Sequence, residues 1–536
     1  MISSADELAS KAGKWAMEKG GSAVDAAIAA QLVLNVVEPH SSGIGGGAFL
    51  LYYDAKTNST VYFNGRETAP YTAFSTMFLD KTGRAREFVD VVRGGMSVGT
   101  PGLLKLMKEA HQQYGKLPWA DLFMPAIETA KNGFAVNERM HTLSTQISYL
   151  KDFDEAAEIY LKDGEPREVG EIITNPKLAA TLETIAKEGI DPFYKGRIAR
   201  DIVMAVRGSK INPGYLSMGD LRNYKIKMGD LICSTYRVKY KVCSMPLPSS
   251  GGVTLLQALG ILENFDLASL NPNSKEAIHL ILEATRLAYA DRNEYLADVS
   301  SAPISQMLDK LYLRERSKLI NQDKAIAKVL AGSFTNSDAA ANRFAKNKSA
   351  EMPSTTHISV IDEKGNAVSM TSSIEYFFGS ALSVDGFMLN NQLTDFALTP
   401  YTNGKFVANR LRPGKQPRSS MTPTLIFDQN DKLLMVLGSP GGPRIIQFTL
   451  KTIINYLDWK MDIQKAISAP NFIALNNTIE LENNTAITKL KPQLEAMGHR
   501  KVKLLDIVSG VHAIAVEGGE LKGGADPRRG GVALGL

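Results

Sequence analysis

The part of this sequence best suited to chemistry is a threonine at the open end of a predicted β-hairpin. Ile358 and Val360 alternate on one face of the first strand. The turn is Glu363-Lys364-Gly365, because a three-residue loop that ends in a left-handed glycine is a common hairpin closure. A hairpin centred on Lys364 pairs residues that lie equally far from it along the chain. This register places Thr355 opposite Ser373, with their hydroxyl groups side by side.

The hydroxyl group of Thr355 becomes a good nucleophile only when a base removes its proton. Cleavage of the chain between Ser354 and Thr355 would free the α-amino group of Thr355. An α-amine has a pKa of roughly 7.7 to 8.0, which suits a general base near neutral pH. The sequence therefore predicts a threonine nucleophile that becomes N-terminal through cleavage of the chain.

A glycine-rich turn after a buried strand is the second candidate for chemistry. The strand 433–437 leads into the turn 438–442, and a helix is predicted from Ile445 to Leu457. Backbone amides at such a turn carry partial positive charge and can bind a phosphate or an oxyanion. No P-loop lysine follows the glycines, so the pattern favours an oxyanion site.

Two other glycine motifs suggest chemistry at first sight. The segment 95–99, Gly-Met-Ser-Val-Gly, matches the nucleophile elbow of α/β-hydrolases, but Thr100-Pro101-Gly102 separates Ser97 from the next predicted helix. The segment 43–47 resembles a dinucleotide-binding loop, but a helix precedes it and a strand follows it, the reverse of the required order. The seven histidines show no metal-ligand spacing. The sequence therefore predicts no nucleotide site and no metal, and leaves Ser97 as the rival nucleophile.

Several motifs, in the same order along the chain, resemble those of the γ-glutamyltranspeptidase family. The motifs that resemble its small subunit are Thr355-Thr356-His357, the segment 390–396, Ser419-Ser420-Met421 and the turn 438–442. The motifs that resemble its large subunit are the segments 20–27 and 66–70. The resemblance extends from about Met1 to Arg528, which is nearly the whole chain.

This resemblance implies the fold of the N-terminal-nucleophile hydrolases, an α+β four-layer αββα sandwich. Composition alone indicates only an α/β or α+β protein. The resemblance also implies a proenzyme that cuts itself between Ser354 and Thr355. The products would be a large subunit, residues 1–354, and a small subunit, residues 355–536, which remain associated as one intertwined structural domain. We expect no cofactor.

The resemblance further implies roles for individual residues. Thr355 would attack the γ-carbonyl group of glutathione or another γ-glutamyl compound, and water, an amino acid or a peptide would accept the γ-glutamyl group. The residues that would assist this chemistry are Thr371 and Ser373, which orient the nucleophile, and Gly441 and Gly442, whose amides stabilise the oxyanion. The substrate-binding candidates are Arg66 for the α-carboxylate, Asp395 for the α-ammonium with Glu375 and Gln392 beside it, and Ser419 and Ser420.

Two other functions remain open. Another amidase of the same superfamily would act on cephalosporin or glutaryl amides or on poly-γ-glutamate. An unprocessed protein on this scaffold would bind ligands without catalysis. Arg66 and Asp395 argue against the first, because an acyl group without an α-amino acid needs neither residue. The intact motifs argue against the second.

The composition of the 536 residues narrows the class of protein. Hydrophobic residues make up 44% and charged residues 22%, which is enough to bury a large core. The 61 basic and 56 acidic residues are mostly dispersed, so the net charge of +5 does not predict a nucleic-acid partner. The chain has no apolar run of about 20 residues and no signal-peptide pattern. We therefore expect no membrane span and a cytoplasmic protein, or an exported one if its start was trimmed, and association into a homo-oligomer stays open.

Helices and loops must position the candidate residues. Ser22 is predicted to begin a buried, alanine-rich helix that runs from Ala23 to Val37. The segment 4–7, Ser-Ala-Asp-Glu, matches a capping box for an earlier helix. The polar segment 334–353 predicts a flexible, exposed approach to the cleavage site.

The two cysteines allow two interpretations. Cys233 and Cys243 lie symmetrically about a possible turn near Val238, so a cross-strand disulfide is conceivable. Two cysteines in so long a chain do not form a secreted disulfide framework. The expectation is therefore reduced thiols.

Overall fold

The computed structural model describes residues 1–334, 344–345, 354–475 and 477–536. Its strands in the first 334 residues are Ile2–Ser4 (β1), Gly47–Asp54 (β2), Ser59–Gly65 (β3), Phe134–Ala135 (β4), Leu161–Lys162 (β5), Glu165–Pro166 (β6), Ile172–Ile173 (β7), Lys227–Gly229 (β8), Ile232–Tyr236 (β9) and Tyr240–Ser244 (β10). The strands that follow are Phe344–Ala345 (β11), Thr356–Ile361 (β12), Ala367–Ser373 (β13), Ser383–Val384 (β14), Phe387–Met388 (β15), Tyr401–Thr402 (β16), Lys405–Val407 (β17), Thr424–Phe427 (β18), Leu433–Gly438 (β19), Phe472–Leu475 (β20), Thr478–Glu482 (β21), Val502–Leu505 (β22), His512–Glu517 (β23), Glu520–Ala525 (β24) and Val532–Leu534 (β25).

Helices connect and cover these strands. The earlier α-helices are Glu7–Glu18 (α1), Ala23–Val37 (α2), Phe88–Val92 (α3), Leu103–Tyr114 (α4), Met124–Asn132 (α5), Glu138–Gln146 (α6), Asp154–Tyr160 (α7), Pro176–Glu188 (α8), Asp191–Tyr194 (α9), Arg197–Arg207 (α10) and Met218–Asn223 (α11). The later α-helices are Gly251–Leu262 (α12), Lys275–Tyr295 (α13), Ile304–Met307 (α14), Lys310–Ser317 (α15), Ile445–Leu457 (α16), Ile463–Ser468 (α17) and Lys491–Ala496 (α18). Short 3₁₀ turns lie at Gly95–Ser97, Trp119–Phe123, Ser148–Asp152, Leu267–Ser269, Gln392–Asp395, Gly442–Arg444 and Ala486–Leu490.

Two antiparallel sheets form the centre of the fold. The first has the strand order β25-β1-β12-β13-β2-β3-β8, and the second has the order β24-β23-β19-β18-β10-β9. In the first sheet the hairpin β12–β13 lies between β1 and β2. Strands that follow Thr355 therefore pair directly with strands from the beginning of the chain.

Three apolar layers show how the sheets and helices stack. Leu50 and Tyr52 of β2 pack in the layer between the first sheet and helix α2, whereas Phe49 and Leu51 of the same strand pack between the two sheets. A third layer joins the second sheet to helices α12, α13 and α16. Alternate side chains of a strand point to opposite faces, so each sheet is buried on both faces. The predicted αββα sandwich is confirmed.

The hairpin that carries Thr355 has the predicted register. Thr356 pairs with Ser372 and Ile361 pairs with Ala367, on either side of a loop at 362–366. Gly365 has a φ of 81° in this loop, a conformation that favours glycine. The register brings Thr355 next to Ser373, as the sequence predicts.

Helix α2 begins and ends where the sequence predicts. Ser22 and Asp25 form a capping box, and every residue of the helix is buried. The capping box predicted at Ser4 is wrong, because Ser4 lies in β1 and pairs with β12. Asp6 caps α1 instead, by accepting a hydrogen bond from the amide of Leu8. Strand pairing across the molecule overrides the local capping signal at this point.

The expectation of reduced cysteines is wrong. Cys233 of β9 lies directly opposite Cys243 of β10, with Cα atoms 4.1 Å apart, and the two form a disulfide. The hairpin β9–β10 brings the two residues into register across its turn, and their small number does not prevent the pairing.

The two rival glycine motifs have structural roles. Ser97 is buried in a 3₁₀ turn and donates a hydrogen bond of 2.7 Å to the carbonyl oxygen of Val92. A Cβ on Gly45 would come within 2.1 Å of the carbonyl oxygen of Met388, so the segment 43–47 passes tightly against another backbone segment. The approach predicted for 334–353 lies largely outside the described residues. Within the described part of the chain, no helix has the length and apolarity needed to cross a membrane.

Candidate active site

Most of the residues singled out by sequence lie around one pocket between the two sheets. The pocket is lined by Arg66, Thr355, Ser373, Glu375, Gln392, Asp395, Ser419, Ser420, Met421, Gly442 and Ile445. Its residues come from strands, turns and loops spread over more than 300 positions of the chain. Among the predicted site residues, Ser354, Thr371 and Gly441 do not line it.

Two hydrogen bonds of Thr355 and one of its neighbour Ser354 hold this part of the chain at the pocket. The Thr355 hydroxyl group donates a hydrogen bond of 3.1 Å to the hydroxyl of Ser373. Its main-chain carbonyl oxygen accepts a hydrogen bond of 2.8 Å from Nη1 of Arg529. The preceding residue, Ser354, donates a hydrogen bond of 2.8 Å to the carbonyl oxygen of His40. The residues on both sides of the predicted cleavage point are therefore fixed.

The backbone of Thr355 is strained. Its φ is 116°, a conformation that is an outlier for a β-branched residue. Such a conformation costs about 1 to 3 kcal/mol and persists only where surrounding contacts impose it. The hydrogen bonds of Ser354 and Thr355 provide those contacts.

Thr371 contacts a histidine, whereas the sequence analysis expects it to orient Thr355. Its hydroxyl oxygen lies 2.8 Å from Nδ1 of His357, and Nε2 of the same ring lies 3.1 Å from the hydroxyl of Ser359. Burial, together with the nearby His512, holds the pKa of His357 well below its usual value, so the ring is neutral. Thr371 thus contacts a buried imidazole behind Thr355 and makes no hydrogen bond to the Thr355 hydroxyl in the described structure.

A buried ion pair forms part of the wall of the pocket. Nη2 of Arg66 lies 2.6 Å from Oδ2 of Asp395, and the exposed fraction of the Arg66 side chain is 1%. The same guanidinium donates to the carbonyl oxygens of Pro417 and Arg418, at 3.2 and 2.9 Å. A planar guanidinium with several fixed donors matches a carboxylate. The pair therefore offers adjacent groups of opposite charge to a ligand.

Glu67 lies next to Arg66 but does not serve as its ionic partner. Burial raises the pKa of Glu67 to about 8, although the charge of Arg66 opposes this shift. The Glu67 carboxyl is therefore mostly neutral at pH 7, and its nearest oxygen is 3.9 Å from Arg66. Asp395 carries the negative charge that balances Arg66.

Gln392 and Glu375 orient the acidic side of the pocket. The sequence places Gln392 three residues before Asp395, and a 3₁₀ turn puts both on one face. Nε2 of Gln392 donates a hydrogen bond of 2.6 Å to Oδ2 of Asp395. The Glu375 carboxylate accepts a hydrogen bond from Nδ2 of Asn391, and the Glu375 amide donates one of 2.9 Å to the Ser373 hydroxyl. Ser373 thereby links Thr355 to the side of the pocket that carries Glu375.

Ser419 and Ser420 are held by a neighbouring loop and a buried arginine. The amide and hydroxyl of Ser250 both donate to the carbonyl oxygen of Ser419, at 2.8 Å each. Nη2 of Arg292 donates a hydrogen bond of 2.6 Å to the hydroxyl of Ser420. These contacts fix the two serines in the wall of the pocket.

The glycine turn after β19 adopts conformations that favour glycine. Gly441 has a φ of 133° and Gly442 a φ of 58°, and a 3₁₀ turn then leads into α16. Gly442 lines the pocket beside Thr355, whereas Gly441 lines a larger cavity on the other side of the turn. The turn therefore lies between the pocket at Thr355 and this larger cavity.

Sequence reasoning missed three residues that support the site. They are Arg529, which binds the Thr355 carbonyl; Arg292, which binds Ser420; and His357, which contacts Thr371. His357 stands two residues after Thr355 in the strand, so alternation places it on the face of the nucleophile. Arg529 and Arg292 lie far from their partners along the chain, and no local pattern marks them.

The site and the stacked sheets define the class of protein. The chain has the fold of the N-terminal-nucleophile hydrolases. It resembles the crystal structure of cephalosporin acylase from Bacillus halodurans with a TM-score of 0.85 at 26% identity, over 99% of this chain and 94% of that one. Within the described residues, no cluster of three or more potential metal ligands occurs.

The particular family follows from the sequence comparison. The Gamma-glutamyltranspeptidase family model matches residues 9–536, and the chain belongs to this family. It is 36% identical to the glutathione hydrolase proenzyme of Bacillus subtilis strain 168, over 100% of this chain and 91% of that protein. It is also 33% identical to the acylase ACY 1 proenzyme of Pseudomonas sp. strain SE83, over 100% of this chain and 93% of that protein.

Proposed function

We propose that this chain is a proenzyme that cuts itself before Thr355 and then hydrolyses or transfers γ-glutamyl groups, including that of glutathione. One observation carries the proposal. The Thr355 hydroxyl, 3.1 Å from the Ser373 hydroxyl, and the Arg66–Asp395 pair line the same pocket. A nucleophile thus faces a binding site suited to a zwitterion.

Self-cleavage would begin with attack of the Thr355 hydroxyl on the carbonyl carbon of Ser354. The bond from that carbon to the Thr355 nitrogen then breaks, the nitrogen takes up a proton, and an ester links Ser354 to the Thr355 oxygen. Water hydrolyses the ester, which leaves a carboxylate on Ser354 and a free amine and hydroxyl on Thr355. The strained φ of Thr355 supports this step, because cleavage relieves it.

In turnover the freed amine of Thr355 would act as the base for its own hydroxyl. The hydroxyl oxygen attacks the γ-carbonyl carbon, and the negative charge that develops on the carbonyl oxygen meets the amides of Gly441 and Gly442. Collapse of this intermediate expels the amine with a proton and leaves a γ-glutamyl ester on Thr355. Water or a second amine then takes the γ-glutamyl group.

Recognition of the substrate would rest on the buried ion pair. The α-carboxylate of a γ-glutamyl group would bind the Arg66 guanidinium, and its α-ammonium would bind Asp395. In the free protein these two side chains neutralise each other at 2.6 Å. A zwitterion can replace each partner with a group of the same charge, so neither buried charge is left uncompensated.

A second candidate is an acylase that removes an acyl group without an α-ammonium. The similarity to two proteins named as acylases favours it. Asp395 argues against it, because a glutaryl group offers no cation to this carboxylate. Substrates with and without an α-ammonium group therefore separate the two candidates.

A denaturing gel with N-terminal sequencing tests the proposal directly. The purified protein should give bands near 39 and 20 kDa, because 354 and 182 residues share 58.3 kDa, and the smaller band should begin at Thr355. Thr355→Ala should remain one chain, since no hydroxyl is left to attack. A wild-type protein that stays intact and hydrolyses no γ-glutamyl amide would contradict the proposal.

A further inference from the structure

A cluster of buried polar side chains adjoins the proposed cleavage point, outside the pocket described above. Its members are Glu38, His40 and Arg529, with exposed fractions of 2%, 0% and 9%. The main-chain carbonyl of His40 accepts the hydrogen bond of the Ser354 hydroxyl, and the Arg529 guanidinium donates to the Thr355 carbonyl. The cluster therefore contacts the chain on both sides of the bond to be cut.

Each of these three side chains has a buried polar atom with no hydrogen-bond partner within the described residues. The atoms are Oε2 of Glu38, both ring nitrogens of His40 and Nε of Arg529. Oε1 of Glu38 lies 3.8 Å from Nε2 of His40, which is too far for a direct hydrogen bond. A water molecule about 2.8 Å from each atom would bridge this distance. Because buried polar groups are nearly always paired, these atoms together indicate a site for water.

The charges around the cluster keep the His40 ring neutral. Glu38 is the C-cap residue of α2, an end where the helix dipole disfavours an acid, and its charge stabilises the buried Arg529 cation. Burial, together with the charges of Arg139 and Arg529, holds the pKa of His40 well below its usual value. A neutral imidazole has one nitrogen that accepts a proton and one that donates a hydrogen bond. His40 can therefore both bind a water molecule and take a proton from it.

We propose that Glu38, His40 and Arg529 hold a water molecule beside the Ser354–Thr355 bond, and that this water hydrolyses the ester formed during self-cleavage. The inference rests on the function proposed above and assigns residues to one of its steps. Ser354 is fully buried and Thr355 is only 4% exposed, so the hydrolytic water needs a bound position inside the protein. The cluster offers that position next to both residues.

His40 would carry the proton during this step. The water oxygen attacks the carbonyl carbon of Ser354, and one proton of the water passes to the neutral His40 ring. The bond from that carbon to the Thr355 oxygen then breaks, and the ring returns the proton to this oxygen. Ser354 keeps the hydroxyl of the water in a carboxyl group, which then ionises. A ring with a low pKa is a weak base but a strong acid once protonated, and Glu38 stabilises it while it is charged.

Removal of the imidazole should slow self-cleavage. His40→Leu replaces the ring with an apolar side chain of similar volume. A positioned proton-transfer group contributes about 10² to 10⁴ in rate, so cleavage should slow by at least about 100-fold. The precursor is made by cell-free synthesis, and its cleavage is followed over time on denaturing gels. His40→Gln keeps a polar group that can bind water and should restore part of the rate.

Hydroxylamine distinguishes loss of the water site from loss of the ester. It attacks an ester directly and needs no water bound by the protein. Neutral hydroxylamine should therefore accelerate cleavage of His40→Leu far more than cleavage of the wild type. The large fragment should then end in a hydroxamate at Ser354, which mass spectrometry detects. Thr355→Ala forms no ester and should stay uncut under the same conditions.

Control variants exclude general damage to the fold. His141→Leu removes an imidazole that contacts the carbonyl oxygen of Arg167, and it should cleave at the wild-type rate. The His40→Leu precursor should match uncut Thr355→Ala in size-exclusion chromatography and in thermal unfolding. If it does not fold, Glu38→Gln decides the question. This variant keeps the shape of Glu38 but cannot stabilise a charged ring, so it should also cleave slowly and respond to hydroxylamine.

The outcomes separate this inference from the proposed function. If the wild type is not cut before Thr355, the proposed function fails, and this inference fails with it. If the wild type is cut and His40→Leu cleaves within about twofold of its rate, the α-amine that ester formation frees on Thr355 activates the water, and the assignment is wrong. A slow variant that hydroxylamine does not accelerate also overturns the assignment, because His40 would then act before the ester forms. Slow cleavage with a hydroxamate at Ser354 supports it.

Discussion

The hydroxyl of Ser373 lies between Thr355, the proposed nucleophile, and Glu375, which lines the same pocket. It accepts hydrogen bonds from the Thr355 hydroxyl, at 3.1 Å, and from the Glu375 amide, at 2.9 Å. A threonine hydroxyl rotates freely unless a partner selects one orientation. In the proposed reaction, Ser373 would therefore determine where the Thr355 hydroxyl oxygen points before cleavage.

Removal of this hydroxyl should slow both self-cleavage and turnover. We expect Ser373→Ala to reduce each rate by about tenfold or more, because misplacement of the nucleophile by even a fraction of an ångström is costly. Ser372→Ala is the matched control, since Ser372 is the neighbouring serine on the opposite face of β13, where it binds the carbonyl of Gly47. Both rates are measured by gel densitometry and by anilide release. Equal behaviour of the two variants would show that Ser373 has no orienting role.

The charge of Asp395 should determine which acyl group is accepted. Asp395→Asn keeps the shape but removes the partner of an α-ammonium group, so hydrolysis of γ-glutamyl-4-nitroanilide should fall by roughly tenfold or more. Glutaryl-4-nitroanilide lacks the ammonium and should lose much less. The measurement is kcat/KM for both substrates on both enzymes.

The comparison also detects a structural role for Asp395. Asp395 balances the buried charge of Arg66, and removal of one partner of a buried pair can destabilise a protein by about 3 to 5 kcal/mol. Such damage would affect both substrates alike. An equal loss on the two anilides would therefore show that Asp395 supports the fold and does not select the substrate.

At the scale of elements, the glycine turn between β19 and α16 brings the end of the second sheet to the pocket that contains Thr355, the proposed nucleophile. The turn needs positive φ at Gly441, and the Phe448 ring of α16 packs directly against it. A Cβ on Gly441 would come within 2.7 Å of that ring. The position of the proposed oxyanion donors therefore depends on both the backbone conformation and the helix.

Substitution in this turn should lower the catalytic rate more than the affinity. Gly441→Ala would shift the amides away from the oxyanion, and loss of one such donor costs about 10² to 10³ in kcat. We expect kcat for the anilide to fall by at least about tenfold while KM changes little. Gly519→Ala is the control, because Gly519 also has positive φ, at 89°, but open space around it. A similar kcat in both variants would contradict the role of the turn.

At the scale of the whole molecule, the proposed cleavage point lies just before β12, a central strand of the first sheet. Strand β12 begins one residue after Thr355 and pairs with β1, and β13 pairs with β2. Cleavage of the Ser354–Thr355 bond would break none of these strand pairings and would leave the three apolar layers intact. The two fragments share every central layer of the fold.

The fragments should therefore stay together after cleavage. In size-exclusion chromatography without denaturant, the cleaved protein should elute at the same volume as uncut Thr355→Ala. Thermal unfolding should release both fragments in one transition, because neither has a complete core of its own. A separate native peak near 20 kDa, the size of residues 355–536, would contradict this expectation.

Local patterns in the sequence were sufficient to predict several elements correctly. The register of the Thr355 hairpin follows from one turn and from alternation of side chains, and the bounds of α2 follow from Ser22 at its start and Pro39 just after its end. Helix α16 after the glycine turn was also predicted within its observed bounds. In each case the hydrogen bonds that define the element join residues close together in the chain, so nearby residue types determine them.

Contacts between distant residues were decided only by the tertiary structure. Arg529 reaches the carbonyl of Thr355 across 174 positions, and Ser4 joins β1 instead of capping a helix because β12 pairs with it. The larger cavity beside Gly441 exists because separate parts of the chain meet there. Such contacts depend on which surfaces pack together, and the free energy of that packing is shared among residues that no short stretch of sequence contains.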